Sequence, residues 1–313
     1  MNGIERARFW YDIYGRDMLA GEFGHAVGRI AVGIAGSGSE CFGFDDEIST
    51  DHDYGTGFSL WITAEDDRES GSELRRKCQQ LFRKLKSELP ETGHSDGGRI
   101  SDGVMQIGEF YRRHLGIAGV PENWQQWLMI PEYAFAEAVN GEVFRDDAGI
   151  FSAIRNGIKY GMPEDIRLKK LSYHAIMMAQ SGQYNYSRCL KHGEYGAAGL
   201  ALAEFVRHAG ALVFILNHTF APYYKWMFRA MKQLPVLPEL SVMLAELLCS
   251  SSDGEKKCEA VDRIASECIN ELVRQELTRF HGDYLEPYAR ELLERISNRE
   301  LRQLHIMDSG GSF

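Results

Sequence analysis

Apolar and polar positions change rhythm part-way along this chain. Near the N-terminus Trp10, Ile13, Tyr14 and Met18 recur at helical spacing, and Gly21 and Gly24 then predict a break. From Arg29 to Ile34 the rhythm becomes alternation, with Ile30, Val32 and Ile34 on one side, which predicts a strand running into Gly36-Ser37-Gly38-Ser39. A second strand is predicted from near Asp51 through Phe58, Leu60 and Ile62, bent at Gly55 and Gly57. The connection from Glu40 to Thr50 reads as a loop with at most a brief helix. Ser70 and Glu73 form a capping-box pair ahead of Leu74, Cys78, Leu81, Phe82, Leu85 and Leu89, a helix that Pro90 stops. Ile100 to Ile107 reads as a third strand, with Ile100, Asp102, Val104 and Gln106 on one face.

Beyond Pro121 strand signals nearly vanish and helical stripes take over. They run through Phe151/Ile154/Ile158, Leu168/Leu171/Ala175/Met178, Leu202/Phe205/Val206/Ala209/Leu212/Leu216, Val261/Ile264/Cys268/Leu272 and Tyr288/Leu292/Ile296. The expected fold class is therefore α+β. A small mixed-sheet domain over residues 1–130 is followed by an all-α helical bundle over 131–313, with the active site expected in the cleft between them.

Composition narrows the function. A net charge of −10 argues against general nucleic-acid binding, which needs a basic surface, and against an anionic membrane surface. The six cysteines include no C-x-x-C pair and read as reduced thiols. Glu5, Arg6, Arg8 and Asp12 interrupt what would be the apolar core of a signal peptide, and the apolar run Ala209 to Leu216 is too short to span a bilayer. The expectation is a cytoplasmic protein without membrane contact.

The chemistry concentrates between Gly36 and Tyr54. A P-loop is excluded because the Gly38 to Gly43 spacing is followed by Phe44 in place of lysine, and a dinucleotide fingerprint lacks its third glycine at Cys41. The reading that remains starts from a strand delivering Gly38-Ser39, where glycine leaves backbone amides open to phosphate oxygens. Asp51 and Asp53 then occupy alternate positions of an extended segment, so their carboxylates share a face. Two such carboxylates repel unless a cation lies between them, and hard oxygen ligands beside a phosphate cradle suit Mg²⁺.

Gly38-Ser39-x-x-x-Gly43 followed by Ser49-Thr50-Asp51-His52-Asp53 resembles the glycine-serine and D-x-D signature of the polymerase-β-like nucleotidyltransferase superfamily, which includes the kanamycin, streptomycin and lincosamide nucleotidyltransferases. The whole stretch from Gly36 to Asp53 is closer still to an uncharacterised family of nucleotidyltransferase-like proteins. Asn140 to Gly149, Leu216-Asn217 and Pro222-Tyr223-Tyr224-Lys225-Trp226 are similar to later blocks of that family. The resemblance implies that Gly38 and Ser39 bind a nucleoside triphosphate and that Asp51 and Asp53 hold one or two Mg²⁺ ions. It further implies a third carboxylate on a neighbouring strand, for which Asp102 is the candidate and Glu109 the fallback.

These parts imply a Mg²⁺-dependent nucleotidyltransferase that moves a nucleoside monophosphate, AMP from ATP in the first instance, onto a small hydroxylated or amine-bearing acceptor. The acidic surface favours a cationic one. Two alternatives share the fold: an AMPylating enzyme that modifies protein side chains, and a nucleotide-binding antitoxin or regulatory module. Lys225, at the expected start of a helix, brings its charge toward the triphosphate. Tyr223, Tyr224 and Trp226 could stack on a base or acceptor, but an aromatic cluster at helical spacing reads first as core; His52 reads as packed on the opposite side of its strand, and Asp45-Asp46-Glu47 as solvated surface. Glu40 either contacts substrate or braces the loop.

Overall fold

The computed structural model describes residues 1–46, 57–69, 72–88, 103–251, 253–308 and 310. The protein divides into two compact units, residues 1–121 with 134–161 and residues 122–133 with 162–313. The fold is α+β, with a small mixed sheet and many helices. The expected boundary at 130/131 falls inside the short 122–133 segment of the second unit, and residues 134–161 belong to the first unit, where they complete its sheet.

In the first unit, helix α1 (Gly3–Trp10) passes through a π-helical turn at Tyr11–Gly15 into α2 (Arg16–Phe23). The expected break falls at Gly24, whose φ is 51°, while Gly21 stays helical. Strand β1 (Ile30–Ile34) leads to the short α3 (Ser39–Phe42), and β2 (Ser59–Ile62) is followed by α4 (Ala64–Glu69) and α5 (Ser72–Glu88). Strand β3 (Val104–Gln106) runs directly into α6 (Ile107–Leu115). The third strand thus ends one residue earlier than its apolar pattern predicts, because Gln106 and Glu109 form a capping box that starts the helix. Ile100, Ser101 and Asp102 lie outside the described residues, as does the first half of the second expected strand.

Helix α7 (Trp124–Met129) belongs to the second unit, and α8 (Glu132–Val139) leads back to the sheet. Strand β4 (Glu142–Arg145) follows, then α9 (Ile150–Tyr160). The sequence pattern missed β4, since a four-residue, half-buried strand flanked by Glu142 and Arg145 carries almost no alternation signal. The sheet order is β3-β2-β1-β4, with β1 antiparallel to both neighbours and β2 parallel to β3. Being central, β1 is buried on both faces. Ile30, Val32, Leu60 and Ile62 share one face with Tyr11, Leu19 and Leu81 from the helices. On the other face Trp61 stacks on Phe151 with centroids 4.1 Å apart and meets Phe110 edge-on.

In the second unit α10 (Glu164–Met178) continues as a π-helical stretch, Ala179–Tyr186, into α11 (Ser187–Lys191). It is followed by α12 (Tyr195–Leu216), α13 (Tyr224–Met231), α14 (Leu240–Cys249), α15 (Gly254–Arg274), α16 (Leu285–Glu294) and α17 (Arg299–Gln303). The helical stripes read from the sequence fall on α9, α10, α12, α15 and α16. By length and composition α12 could cross a membrane, which the shorter run Ala209 to Leu216 did not suggest, yet 67% of its most apolar window is buried inside the protein, as in a core helix. Helix α10 buries cations as well as apolar residues. Arg167 Nη2 donates to Gln275 Oε1 (2.7 Å), Lys169 Nζ to the His305 carbonyl (2.7 Å), and Lys170 pairs with Glu132 (3.4 Å). Each cation leaves water only with an acceptor in place, as the desolvation penalty demands.

Gly141, just before β4, has a φ of 66°, and a side chain there would collide with the Ile34 carbonyl oxygen of β1. Replacing it combines left-handed backbone strain with a backbone clash. Gly141→Ala is expected to lower unfolding stability by about 2 kcal/mol or more, measured as a fall in the urea midpoint at unchanged m-value.

Candidate functional site

The first unit builds its candidate site at the end of β1. Gly36 and Gly38 both adopt positive φ, 124° and 136°, so the chain reverses sharply before α3. A Cβ on Gly38 would lie 2.6–2.8 Å from the Glu40 carboxylate, which therefore covers this turn. The turn is closed by Cys41 N donating to the Gly38 carbonyl (3.2 Å) and Phe44 N to the Ser39 carbonyl (2.8 Å). Ser37 and Gly38 remain partly accessible, whereas Ser39 and Glu40 are buried.

Two further segments hold this turn. The Asn140 side chain accepts from Gly36 N (2.8 Å) and donates to the Gly36 carbonyl (2.6 Å). Arg155 on α9 in turn donates to the carbonyls of Asn140 (3.3 Å) and Gly141 (3.2 Å). From the other side, Gly3 N of α1 donates to Asp45 (2.7 Å) and the Arg6 guanidinium pairs with the same carboxylate (3.3 Å). Burial lowers the Arg6 pKa from its ordinary value, against the opposing charges of Asp45 and Glu40. Arg8 lies over the Phe144 ring and pairs with Glu142 on β4. Asp45 is thus an anchor for α1 and not solvated surface. Glu40 packs its Cβ and backbone against Gly3 of α1.

The residues expected to carry chemistry divide sharply. Gly38 and Ser39 form the turn just described. Asp51, His52, Asp53 and Asp102 lie outside the described residues. Among the described residues no group of three or more His, Cys, Asp or Glu is placed to hold a metal ion. Glu109, the fallback carboxylate, accepts from Gln106 N (3.2 Å) and so caps α6. Lys225 is the second residue of α13 in the second unit and is exposed.

The second unit holds a buried polar chain that sequence reading missed. Lys170 Nζ lies 3.4 Å from Glu132 Oε1, and His174 Nε2 lies 3.8 Å from the same oxygen. His174 Nδ1 meets His208 Nδ1 at 2.9 Å, and His208 Nε2 meets Glu204 Oε1 at 3.0 Å. The other Glu132 oxygen accepts from Ala221 N (3.4 Å). Burial alone would raise the Glu132 pKa, but Lys170 and His174 outweigh it and hold the carboxyl below its ordinary value. Burial pushes His174 down to about 4 despite its contact with Glu132. The partners come from positions 132, 170, 174, 204 and 208 on three helices. The i,i+4 spacing of Lys170/His174 and of Glu204/His208 is the only trace of the chain in the sequence.

This chain fixes the segment that carries Tyr223 and Tyr224, which Tyr133 of α8 flanks. Phe220 and Ala221 are buried, but Tyr223 and Tyr224 are 43% and 61% exposed, so they are not core residues as their spacing suggested. Their ring centroids are 4.4 Å apart, and Tyr133 meets Tyr223 edge-on at 6.0 Å. A hydrogen bond with Tyr224 holds the Tyr223 phenol above its ordinary pKa.

Residues 127–227 match a family model described as a domain of unknown function, DUF4037. The matched segment contains Asn140, the buried polar chain, the tyrosines and Lys225, but not the Gly36 to Ser39 turn. No curated protein matches the chain. No solved structure matches it either.

Asn140→Ala would leave the amide and carbonyl of Gly36 without partners, for an expected loss of about 2–4 kcal/mol in chemical denaturation. Asn140→Asp keeps the acceptor but not the donor and should lose a smaller part. The buried histidine gives a pH prediction. A native pKa near 4 lies below the unfolded value of about 6.5, so the unfolded chain binds the extra proton first. The contribution of His174 is therefore complete above about pH 6.5 and lost as pH falls toward 4. Denaturation midpoints of wild type and His174→Asn, measured from pH 7 to 4, should converge on acidification, and parallel curves would contradict this.

Proposed function

We propose that the protein is a Mg²⁺-dependent nucleotidyltransferase that moves a nucleoside monophosphate from a nucleoside triphosphate onto a small-molecule acceptor. The observation that carries this reading is the turn after β1. It is a strand end whose Gly38 has no side chain, stands at a φ of 136° and is held from Asn140 by two hydrogen bonds to Gly36. Such a turn presents backbone amides at a fixed position, as polyphosphate binding requires. The connection from Phe44 to Phe58 contains Asp51 and Asp53, and the antiparallel pairing of Gly33 with Ser59 brings its two flanking strands side by side.

In this reading the Ser37-Gly38 backbone orients the triphosphate once the Glu40 carboxylate that covers the turn moves aside, with Ser39 behind it, and Asp51 and Asp53 supply the paired carboxylates. Magnesium, when bound, would neutralise charge on the triphosphate and on the departing pyrophosphate. The acceptor oxygen or nitrogen attacks the α-phosphorus, the bond from that phosphorus to the bridging oxygen breaks, and pyrophosphate leaves with the electron pair. The acceptor's proton passes to water or to a carboxylate of the site. Rigid positioning of the turn contributes because phosphoryl chemistry depends chiefly on alignment and charge stabilisation.

Asp51→Asn and Asp53→Asn are each expected to reduce Mg²⁺-dependent pyrophosphate release about 100-fold or more, with melting temperature little changed. The assay is a release screen across four nucleoside triphosphates with aminoglycosides, lincosamides and phosphorylated metabolites as acceptors. Release at the wild-type rate in both variants would sink the reading.

A further inference from the structure

We infer that the second unit carries a binding site for a nucleotide, with the ring of the ligand on Tyr223 and Tyr224 and its phosphates on the exposed cationic face of α13. Two tyrosines from adjacent positions have ring centroids 4.4 Å apart with their planes inclined at 48°, and both are open to solvent. Tyr133 flanks them from α8. Exposed aromatic rings held in mutual contact form a platform on which a planar base stacks.

The charge beside this platform selects the ligand. From Phe205 to Pro238 the chain has no Asp or Glu, although the whole protein carries a net charge of −10. Lys225 and Arg229 of α13, and Lys232 at its C-cap, follow the tyrosines at i, i+4 and i+7, all exposed, and so fall on one side of the helix. Seven residues of helix span about 10 Å, the reach of a di- or triphosphate and more than a single phosphate needs. A polycationic acceptor would be repelled here. A long nucleic acid would face the acidity of the rest of the surface.

The platform is preorganised from beneath. Glu132 accepts from Ala221 N two residues before Tyr223 and precedes Tyr133 in the chain, so one buried carboxylate fixes both sides of the tyrosine cluster. Lys170 and His174 hold that carboxylate in turn. The site thus needs only residues of the second unit. It goes beyond the transfer reading, because the nucleotide it takes is separate from the donor triphosphate assigned to the turn of the first unit.

Calorimetry on the full chain tests the site. The probes are α,β-methylene-ATP, inorganic tripolyphosphate and a single-stranded oligoadenylate. Tyr223→Ala/Tyr224→Ala is expected to weaken the nucleotide about tenfold or more while leaving tripolyphosphate unchanged, and Tyr223→Phe/Tyr224→Phe to retain binding within about twofold. Lys225→Ala/Lys232→Ala should weaken nucleotide and tripolyphosphate together. Two nucleotides per chain are expected, and a single one that survives Tyr223→Ala/Tyr224→Ala overturns the proposal. Unchanged nucleotide affinity in the folded Tyr→Ala variant overturns the proposal, as does tighter binding of the oligonucleotide than of the mononucleotide. Wild-type protein that binds no nucleotide overturns this site and the transfer reading together. Tyrosine-dependent binding combined with unaltered pyrophosphate release in Asp51→Asn and Asp53→Asn overturns the transfer reading alone.

Discussion

A single side-chain amide, that of Asn140, holds the irregular backbone that follows β1. Strand β1 exchanges hydrogen bonds with β4 as far as Ile34 and Glu142, with a register shift between Val32 and Gly33. Beyond Ile34 no regular strand partner remains, yet Gly36 is buried and its amide and carbonyl need bonds. The Asn140 carboxamide has the same donor and acceptor as a peptide group and serves both. It therefore extends the ladder by one rung at the point where the chain must turn. Gly141 allows the close approach to β1, and Arg155 satisfies the carbonyls that the sharp bend exposes.

The second unit solves a different problem with the same economy. Its central helix α10 has no purely polar face, so its polar residues must be neutralised inside. Glu132 gathers Lys170, His174 and Ala221 N around one carboxylate, and the two histidines carry the contact on to Glu204 near the surface. A carboxylate accepts at His208 Nε2, so that nitrogen carries a proton, and His174 stays neutral because burial disfavours its charge. Specific polar pairing of this kind fixes which residues of α8, α10 and α12 face one another.

The helical stripes were legible because burial of one face imposes a 3.6-residue period, seen in Val261/Ile264/Cys268/Leu272 on α15 and Tyr288/Leu292 on α16. Strand β1 was legible for its alternation, although both of its faces are buried. Four-residue β4 was not, since two apolar residues between charged ends define no period. Residues 134–161 were placed with the helices because pairing with β1 is a contact between distant segments that no local pattern records. In the candidate site the glycines were readable as backbone requirements. Asn140 was noticed only as part of a similar block, and its bond to Gly36 spans 104 positions. Tyr223 and Tyr224 were misread as core because aromatic spacing gives a period but not a side.

The buried cations of α10 also set an order of events during synthesis. Arg167 meets Gln275, Ser172 meets the Ala289 carbonyl, Asp165 accepts from Asn298 N, and Lys169 donates to the His305 carbonyl. These partners lie 108 to 136 residues further along the chain. While the ribosome is still making α12, Arg167 and Lys170 have partners in Glu164 and Glu132, but the acceptor of Lys169 is not yet made, and burial of Lys169 at that stage would carry the full cost of desolvation. The helical unit therefore closes only once the segment from Gln275 to His305 is available to α10.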